Sequence, residues 1–253
     1  MELFDLSERI AIVTGGNQGI GFAIARGLAA AGATVVIANR RAAEGQSATE
    51  SLKKEGLSVV AIPTDVSNKS SVTTLISKVV SDFGKIDILV NNAAVILRKP
   101  IEEITEEDWD NIMATNLKGL FFCCQLVGRE MIGRKKGKII NISSVLSQIV
   151  QPGRGVYATA KAGVSHLTRA LALEWGKYNI TVNAIGPGLT ITDINKKYFE
   201  EHPEDLKRTI ESIPRGREGY PSDYAGAAVF LASDASDFVT GQTLLVDGGM
   251  ALA

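Results

Sequence analysis

Ile10-Ala-Ile-Val-Thr-Gly-Gly-Asn-Gln-Gly-Ile-Gly21 is the stretch that decides the fold. A short apolar run reads as a buried strand and passes directly into a glycine-rich turn. An alanine-rich amphipathic helix follows to about Ala31, stopped by Gly32. Strand, glycine turn and helix N-terminus in that order bring free backbone N–H groups and a favourable dipole to one point, where an anion can be held. The spacing Gly15-x-x-x-Gly19-x-Gly21 differs from the commoner Gly-x-Gly-x-x-Gly, and a tight strand-to-helix turn alone would also use it. Position adds weight, because the first crossover of an alternating sheet is where a dinucleotide pyrophosphate lies. The loop candidates are Gly15, Asn17, Gln18, Gly19, Ile20 and Gly21.

Outward from this stretch, strand and helix signals keep alternating. Strands are expected at Thr34 to Ala38, Ser58 to Pro63, Ile86 to Asn91, Lys138 to Ile142, Thr181 to Ile185 and Thr243 to Asp247. Between them lie helices at Ala42 to Lys54 and Asn68 to Phe83, and a long one from Glu106 to Gly133 opened by Thr105. A further helix carries Tyr157 and Lys161 to about Tyr178, and another runs from Pro221 to Ala232. The apolar runs are continuous rather than alternating, as a parallel sheet covered on both faces requires. The expected class is therefore α/β, a single doubly wound domain over residues 1–253 with a seven-stranded, mainly parallel sheet and helices on both faces. Residues 190–217 are polar and charged with no sustained apolar run, and read as an excursion off the sheet.

Composition narrows the function classes. The chain has 253 residues, 45% hydrophobic and 22% charged, with a net charge of −1, so no global field draws it to nucleic acid or an anionic membrane. The run Arg134-Lys135-Lys136 reads as a solvated helix C-terminus. Cys123 and Cys124 are adjacent in an apolar stretch, which suits neither a disulfide framework nor a metal motif. No signal segment and no run of the ~20 apolar residues a membrane span needs is present, so a cytoplasmic protein is expected.

The candidate chemistry centres on Tyr157-Ala-Thr-Ala-Lys161, with Ser144 upstream. Residues four apart on a helix share a face, and an ammonium beside a phenol favours the phenolate, so Tyr157 is expected to be an acid or base with a lowered pKa. Ser144, just past an apolar strand, can hydrogen-bond an oxygen whose charge changes during reaction. At the end of the second strand, Asn39-Arg40-Arg41 stands where a carboxylate would accept from a ribose hydroxyl. Guanidiniums there suit a 2′-phosphate instead, which predicts NADP(H) over NAD(H). Asp65-Val66 and Asn91-Asn92-Ala93-Ala94 lie at other strand ends, where ligands of an open α/β sheet collect, although loop polar residues also serve as helix caps. Asn116 sits inside the long helix, where an asparagine more often faces solvent. Arg98, just beyond the fourth strand and flanked by Leu97 and Pro100, can reach the cleft and bind an anionic substrate group; Lys99 is the fallback. His166 and His202 join no constellation.

Taken together, Thr14-Gly-Gly-Asn-Gln-Gly-Ile-Gly21, Asp65-Val66, Asn91-Asn92-Ala93, Asn116, Ser144, Tyr157-x-x-x-Lys161, Pro187-Gly188 and Val246-Asp-Gly-Gly249 resemble the short-chain dehydrogenase/reductase family over essentially the whole chain. Ala94 departs from the glycine usual there. The resemblance implies a Rossmann-type fold and a catalytic tetrad of Asn116, Ser144, Tyr157 and Lys161. In it Tyr157 is the general acid/base and Lys161 lowers its pKa while holding the nicotinamide ribose. Ser144 polarises the substrate carbonyl, and Asn116 anchors a water. Pro187, Gly188, Thr190 and Thr192 are implied to line the nicotinamide end, with Asp65, Val66, Asn92 and Ala93 also on the cofactor. It further implies a mobile substrate lid around 190–217 and a homotetramer. Phe4-Asp-Leu-Ser7, Leu97-Arg98-Lys99-Pro100 and Val246-Asp-Gly-Gly-Met250 are most similar to the gluconate 5-dehydrogenase-like branch, which implies a sugar acid as substrate. Gln151-Pro152-Gly153-Arg154 differs in detail from that branch, and Arg154 receives no role. Two rivals stay open. A 3-oxoacyl-carrier-protein reductase would share the chemistry and use a basic surface such as Arg129, Arg134 and Lys135. A non-catalytic dinucleotide sensor could share the fold. A zinc-dependent enzyme is disfavoured, because cysteine and histidine ligands are lacking.

Overall fold

A computed structural model describes residues 2–252. Its centre is a sheet of seven strands, all paired parallel, in the order β3-β2-β1-β4-β5-β6-β7. The strands are β1 Ile10–Thr14, β2 Thr34–Asn39, β3 Val59–Pro63, β4 Ile88–Asn91, β5 Gly137–Ile142, β6 Ile180–Pro187 and β7 Thr243–Val246. Every residue of β1, β4, β5 and β6 is buried. Side chains alternate across a strand, so two cores form. Ile12, Leu89 and Ile139 pack on one face with Val72, Leu75, Val127 and Leu171. Val13, Val90 and Ile140 pack on the other with Ile24, Leu28, Leu52 and Leu231. This is the expected Rossmann-type, doubly wound α/β sheet.

The covering helices are α1 Gly19–Ala30, α2 Ala42–Lys54 and α9 Ala225–Ala232 on one face. On the other face lie α3 Lys69–Phe83, α5 Leu120–Arg134 and α6 Gly155–Trp175. Before α5, α4 spans Glu106–Met113, opened by a reciprocal cap between Thr105 and Asp108. Beyond β6, two helices the sequence did not announce, α7 Lys196–Glu201 and α8 Pro203–Glu211, occupy the polar excursion. They were missed because neither has a sustained apolar run; α7 buries Phe199 alone, and α8 buries no residue.

Two further expectations are corrected. The long helix is not continuous: Ala114–Gly119 forms a wide π turn between α4 and α5. Arg134 is not simply solvated, because it donates to the Ile86 carbonyl at 2.8 Å and to Asp87 at 2.5 Å. Asp87 in turn accepts the Ile10 N–H at 2.9 Å, which ties the start of β1 to that of β4 and holds the carboxyl below its ordinary range. β1 pairs with β2 on one side and β4 on the other, so the winding direction reverses there and a crevice opens at the strands' carboxyl ends.

Candidate active site

The glycine turn forms the floor of this crevice. Gly15 and Gly19 have φ of +63° and +55°, a region that costs any residue with a Cβ. A Cβ on Gly21 would stand 2.3 Å from the Gly15 carbonyl oxygen and 2.4 Å from Asn92 Nδ2, so the turn is closed to side chains. Asn92 braces it by donating to the carbonyls of Thr14 and Gly15, both at 3.0 Å. The Thr14 hydroxyl accepts the N–H groups of Asn92 and Ala93 at 3.0 and 3.1 Å. Asn92 therefore shapes the cradle from behind.

Around the turn, one cleft is lined by Gly15, Asn17, Gln18, Gly19, Ile20, Gly21, Asn39, Arg40, Arg41, Asp65, Val66, Asn92 and Ala93. It continues to Arg98, Ser144, Tyr157, Lys161, Pro187, Gly188, Thr190 and Thr192. Asn116 alone among the sequence candidates stays outside. It is fully buried in the π turn, where its amide accepts the Val95 N–H and donates to the Val95 carbonyl, each at 2.8 Å. The solvent-facing expectation for Asn116 is thereby corrected. The π turn gives the amide a position from which to clasp a neighbouring loop.

At the β2 end the three polar residues behave differently. Asn39 turns away to donate to the Arg41 carbonyl at 2.6 Å. Arg41 pairs with Glu44 at 2.6 Å, and Glu44 also accepts from Asn17 at 3.0 Å. Arg40 is exposed and has no ion pair among the described residues. Asp65 is engaged as a local cap, accepting from the backbone and hydroxyl of Ser67 at 2.9 and 2.7 Å. A backbone cradle closed to side chains beside an unpaired guanidinium fits a dinucleotide carrying a 2′-phosphate.

Ser144 lies two residues past β5 and accepts the Leu146 N–H at 3.1 Å. Tyr157 and Lys161 stand one turn apart on α6. Lys161 donates to the Ile142 carbonyl at 2.7 Å and its Nζ is 5.7 Å from the Tyr157 ring centre. Contrary to expectation, the Tyr157 phenol is raised above its ordinary value. Loss of solvation in the cleft is the dominant cause, and Ser144 and the Arg154 guanidinium only partly offset it. Lys161 is pushed down to about 8 by burial, having a carbonyl but no carboxylate beside it.

The opposite wall carries Arg98, whose guanidinium lies 3.3 Å from the Tyr198 ring centre on α7 and 3.7 Å from Asp205 on α8. Tyr198 also hydrogen-bonds Asp205 and stacks on His202. Thr192 packs over the glycine turn, its Cγ2 standing 3.2 Å from where a Gly19 Cβ would be. Thr190 is bonded to Tyr224 and buried. Lys99 is committed to Asp108 at 2.8 Å. Sequence reasoning gave no role to Arg154, which lines the cleft and is 7% exposed. Its one signal is its place three residues before the tyrosine. Among the described residues no group of three or more His, Cys, Asp or Glu side chains could hold a metal ion, and no helix is long and apolar enough to cross a membrane.

Residues 15–251 match the family model described as enoyl-(acyl carrier protein) reductase. The chain is 42% identical to gluconate 5-dehydrogenase of Gluconobacter oxydans (strain 621H), covering 100% of this chain and 98% of that protein. It is 40% identical to 5-keto-D-gluconate 5-reductase of Escherichia coli (strain K12), covering 100% and 99%. Among solved structures, a gluconate 5-dehydrogenase from Burkholderia cenocepacia J2315 in complex with NADP and tartrate superposes with a TM-score of 0.96 at 39% identity, covering 100% and 98%.

Proposed function

The chain belongs to the short-chain dehydrogenase/reductase family and is an oxidoreductase, and from that premise we propose that it interconverts a ketone and a secondary alcohol on a sugar acid, with NADP(H) preferred to NAD(H). One observation carries the reading: Ser144, Tyr157 and Lys161 share a single cleft with the glycine turn at one end and guanidiniums at the other. The names of the relatives support a sugar acid, and the NADP in one neighbour supports the phosphorylated dinucleotide.

The turn from Gly15 to Gly21 holds the pyrophosphate on this reading, and Arg40 the 2′-phosphate, with Asp65 and Val66 along the adenine side. Pro187, Gly188 and Thr192 hold the nicotinamide end, beside Thr190. When bound there, the nicotinamide supplies or accepts the hydride. Tyr157 gives its phenolic proton to the carbonyl oxygen in reduction and takes it back in oxidation. Ser144 donates a hydrogen bond to the same oxygen as charge grows on it. Lys161, already near neutrality in its ionisation, returns protons to Tyr157 and favours the phenolate once its ammonium is drawn from the Ile142 carbonyl. Asn116 keeps the Val95 loop against the π turn and so fixes the cleft wall.

Arg98 meets the anionic end of the substrate by exchanging Asp205 for the substrate's carboxylate. Residues 190–217 then act as a lid over one catalytic domain spanning residues 1–253. Exposed Trp109, Phe121 and Leu173 on α4, α5 and α6 suit a homotetramer, and a cytoplasmic location goes with this reading. An acyl-carrier-protein substrate is less favoured, because Arg134 is already tied to Asp87. The decisive assay follows NADPH absorbance with 5-keto-D-gluconate, a neutral ketose and a 3-oxoacyl thioester. Turnover of the keto acid well above the other two is expected; preference for the thioester would overturn the reading.

A further inference from the structure

Arg154 is the least explained charge in the cleft. Its side chain is 7% exposed, and among the described residues it has no ion pair; its one side-chain hydrogen bond runs to the Leu97 carbonyl at 3.3 Å. A guanidinium carries five N–H donors, so most of its capacity is unspent. Its spare donors are not sealed inside the protein, and Arg154 lines the cleft. Burial and the neighbouring Arg98 pull its pKa down to about 10, while the hydroxyls of Tyr157 and Tyr198 lie near enough to oppose this.

The loops bearing the two arginines are stitched together. The Lys99 N–H donates to the Gly153 carbonyl at 2.9 Å, and a Cβ on Gly153 would lie 3.5 Å from Arg98 Cγ. Gly153 has a φ of +72°, so this close turn needs glycine. The fold thus holds two like charges beside one another, with Asp205, 3.7 Å from Arg98, as the carboxylate in contact with either. Holding cations together at a partly enclosed site is unfavourable unless an anion joins them.

We infer that Arg154 is the specificity-determining anion anchor of the substrate pocket, receiving the carboxylate of a sugar acid between itself and Arg98 while Tyr157 meets the carbonyl. This deepens the sugar-acid reading and rests on it. The carboxylate replaces Asp205 on Arg98 and gives Arg154 the counter-charge it lacks, and its two oxygens match the parallel donors of a guanidinium. A neutral sugar of equal length leaves Arg98 with Asp205 and Arg154 uncompensated, so discrimination comes from the cost of failing to pair Arg154.

Arg154→Gln and Arg154→Lys, compared with Arg98→Ala, test this. The primary readout is the ratio of kcat/KM for 5-keto-D-gluconate to that for a neutral ketose. Arg154→Gln is expected to lower the ratio roughly 10–100-fold, chiefly through KM for the keto acid. Losing a cation beside Tyr157 affects both substrates alike, so the ratio isolates carboxylate binding. NADPH affinity should hold, and the thermal stabilisation of the NADPH-loaded enzyme by gluconate, relative to glucitol, should vanish. Arg154→Lys keeps charge without the fork, and should fall between. If the Gln variant does not fold, the Lys variant decides by the same ratio. An unchanged ratio, equal losses on both substrates, or gluconate stabilisation intact in the variants would overturn the assignment, as would a fall confined to Arg98→Ala. Absence of keto-acid turnover in the unmodified enzyme defeats the parent reading instead; gluconate stabilisation that still depends on Arg154 would then sustain the anion site, and its independence of Arg154 would end it.

Discussion

The two ends of the cleft are built from different materials. At the glycine turn the backbone is the instrument: Gly15, Gly19 and Gly21 are placed by adjacent elements, and Asn92 braces them through backbone carbonyls. At the far end side chains do the holding. Arg98, Arg154, Tyr198 and Asp205 come from two stitched loops and two helices distant in sequence. The first end is fixed by backbone geometry that excludes side chains; the second is made of charges that can exchange partners. Cofactor binding and substrate choice should therefore be separable by mutation, with Tyr157 and Lys161 standing on the seam.

The largest effect tests that seam. Tyr157→Phe keeps the ring and removes the transferable proton, so kcat should fall by roughly 10²–10⁴-fold with NADPH affinity nearly unchanged. Retention of most activity in steady-state assays would assign the proton transfer elsewhere. Lys161 gives a second handle, in stability rather than rate. Its folded value of about 8 lies below the ordinary 10.5. Between these the unfolded chain binds a proton that the folded chain has released, so folding stability rises with pH across that window. Below it both states are protonated and the burial penalty persists in full. Denaturation of the cofactor-free protein should show the unmodified chain gaining ~2–3 kcal/mol over Lys161→Met between about pH 8 and about pH 10. A difference that stays flat would mean Lys161 is not held down by burial. Smallest, and confined to the cofactor end, is Arg40→Asp. It should reverse the preference from NADP(H) to NAD(H), each direction changing kcat/KM by about 10- to 100-fold. A parallel shift in the ratio of charged to neutral substrate would break the proposed independence of the two ends.

Legibility in the sequence followed the same division. The glycine turn, the alternation of strands and helices and the parallel sheet were readable because their determinants are local: continuous apolar runs, caps such as Thr105, and glycines at fixed offsets. The family resemblance and the oxidoreductase class were readable for the same reason. Tyr157 and Lys161 were found by their helical spacing, yet the ionisation expected for Tyr157 was wrong. Proximity on a helix predicted a depressed phenol, whereas enclosure dominates and Lys161 points to Ile142. Arg154 and the Arg98–Tyr198–Asp205 contact were illegible, since each depends on which loops meet. The helices α7 and α8 escaped because a nearly coreless helix leaves no apolar period to read.

The wide turn at Ala114–Gly119 has one more consequence, best put as a matter of phase. α4 turns Ile112 toward Val156 and Ala160, while α5 turns Cys123, Cys124, Val127 and Met131 toward the sheet. A π turn takes up about one residue more than an α turn, which rotates everything after it by roughly 100° relative to an uninterrupted α-helix. The two inward stripes are thus read in different frames, and the extra residue is the frameshift between them. Deleting a single residue from 114–119 would restore a regular helix that keeps the cysteine stripe on the core in its present frame, while removing the wide turn from which Asn116 clasps Val95. The packing of α5 on the sheet would outlast such a deletion, and the clasp that holds the Val95 loop would not.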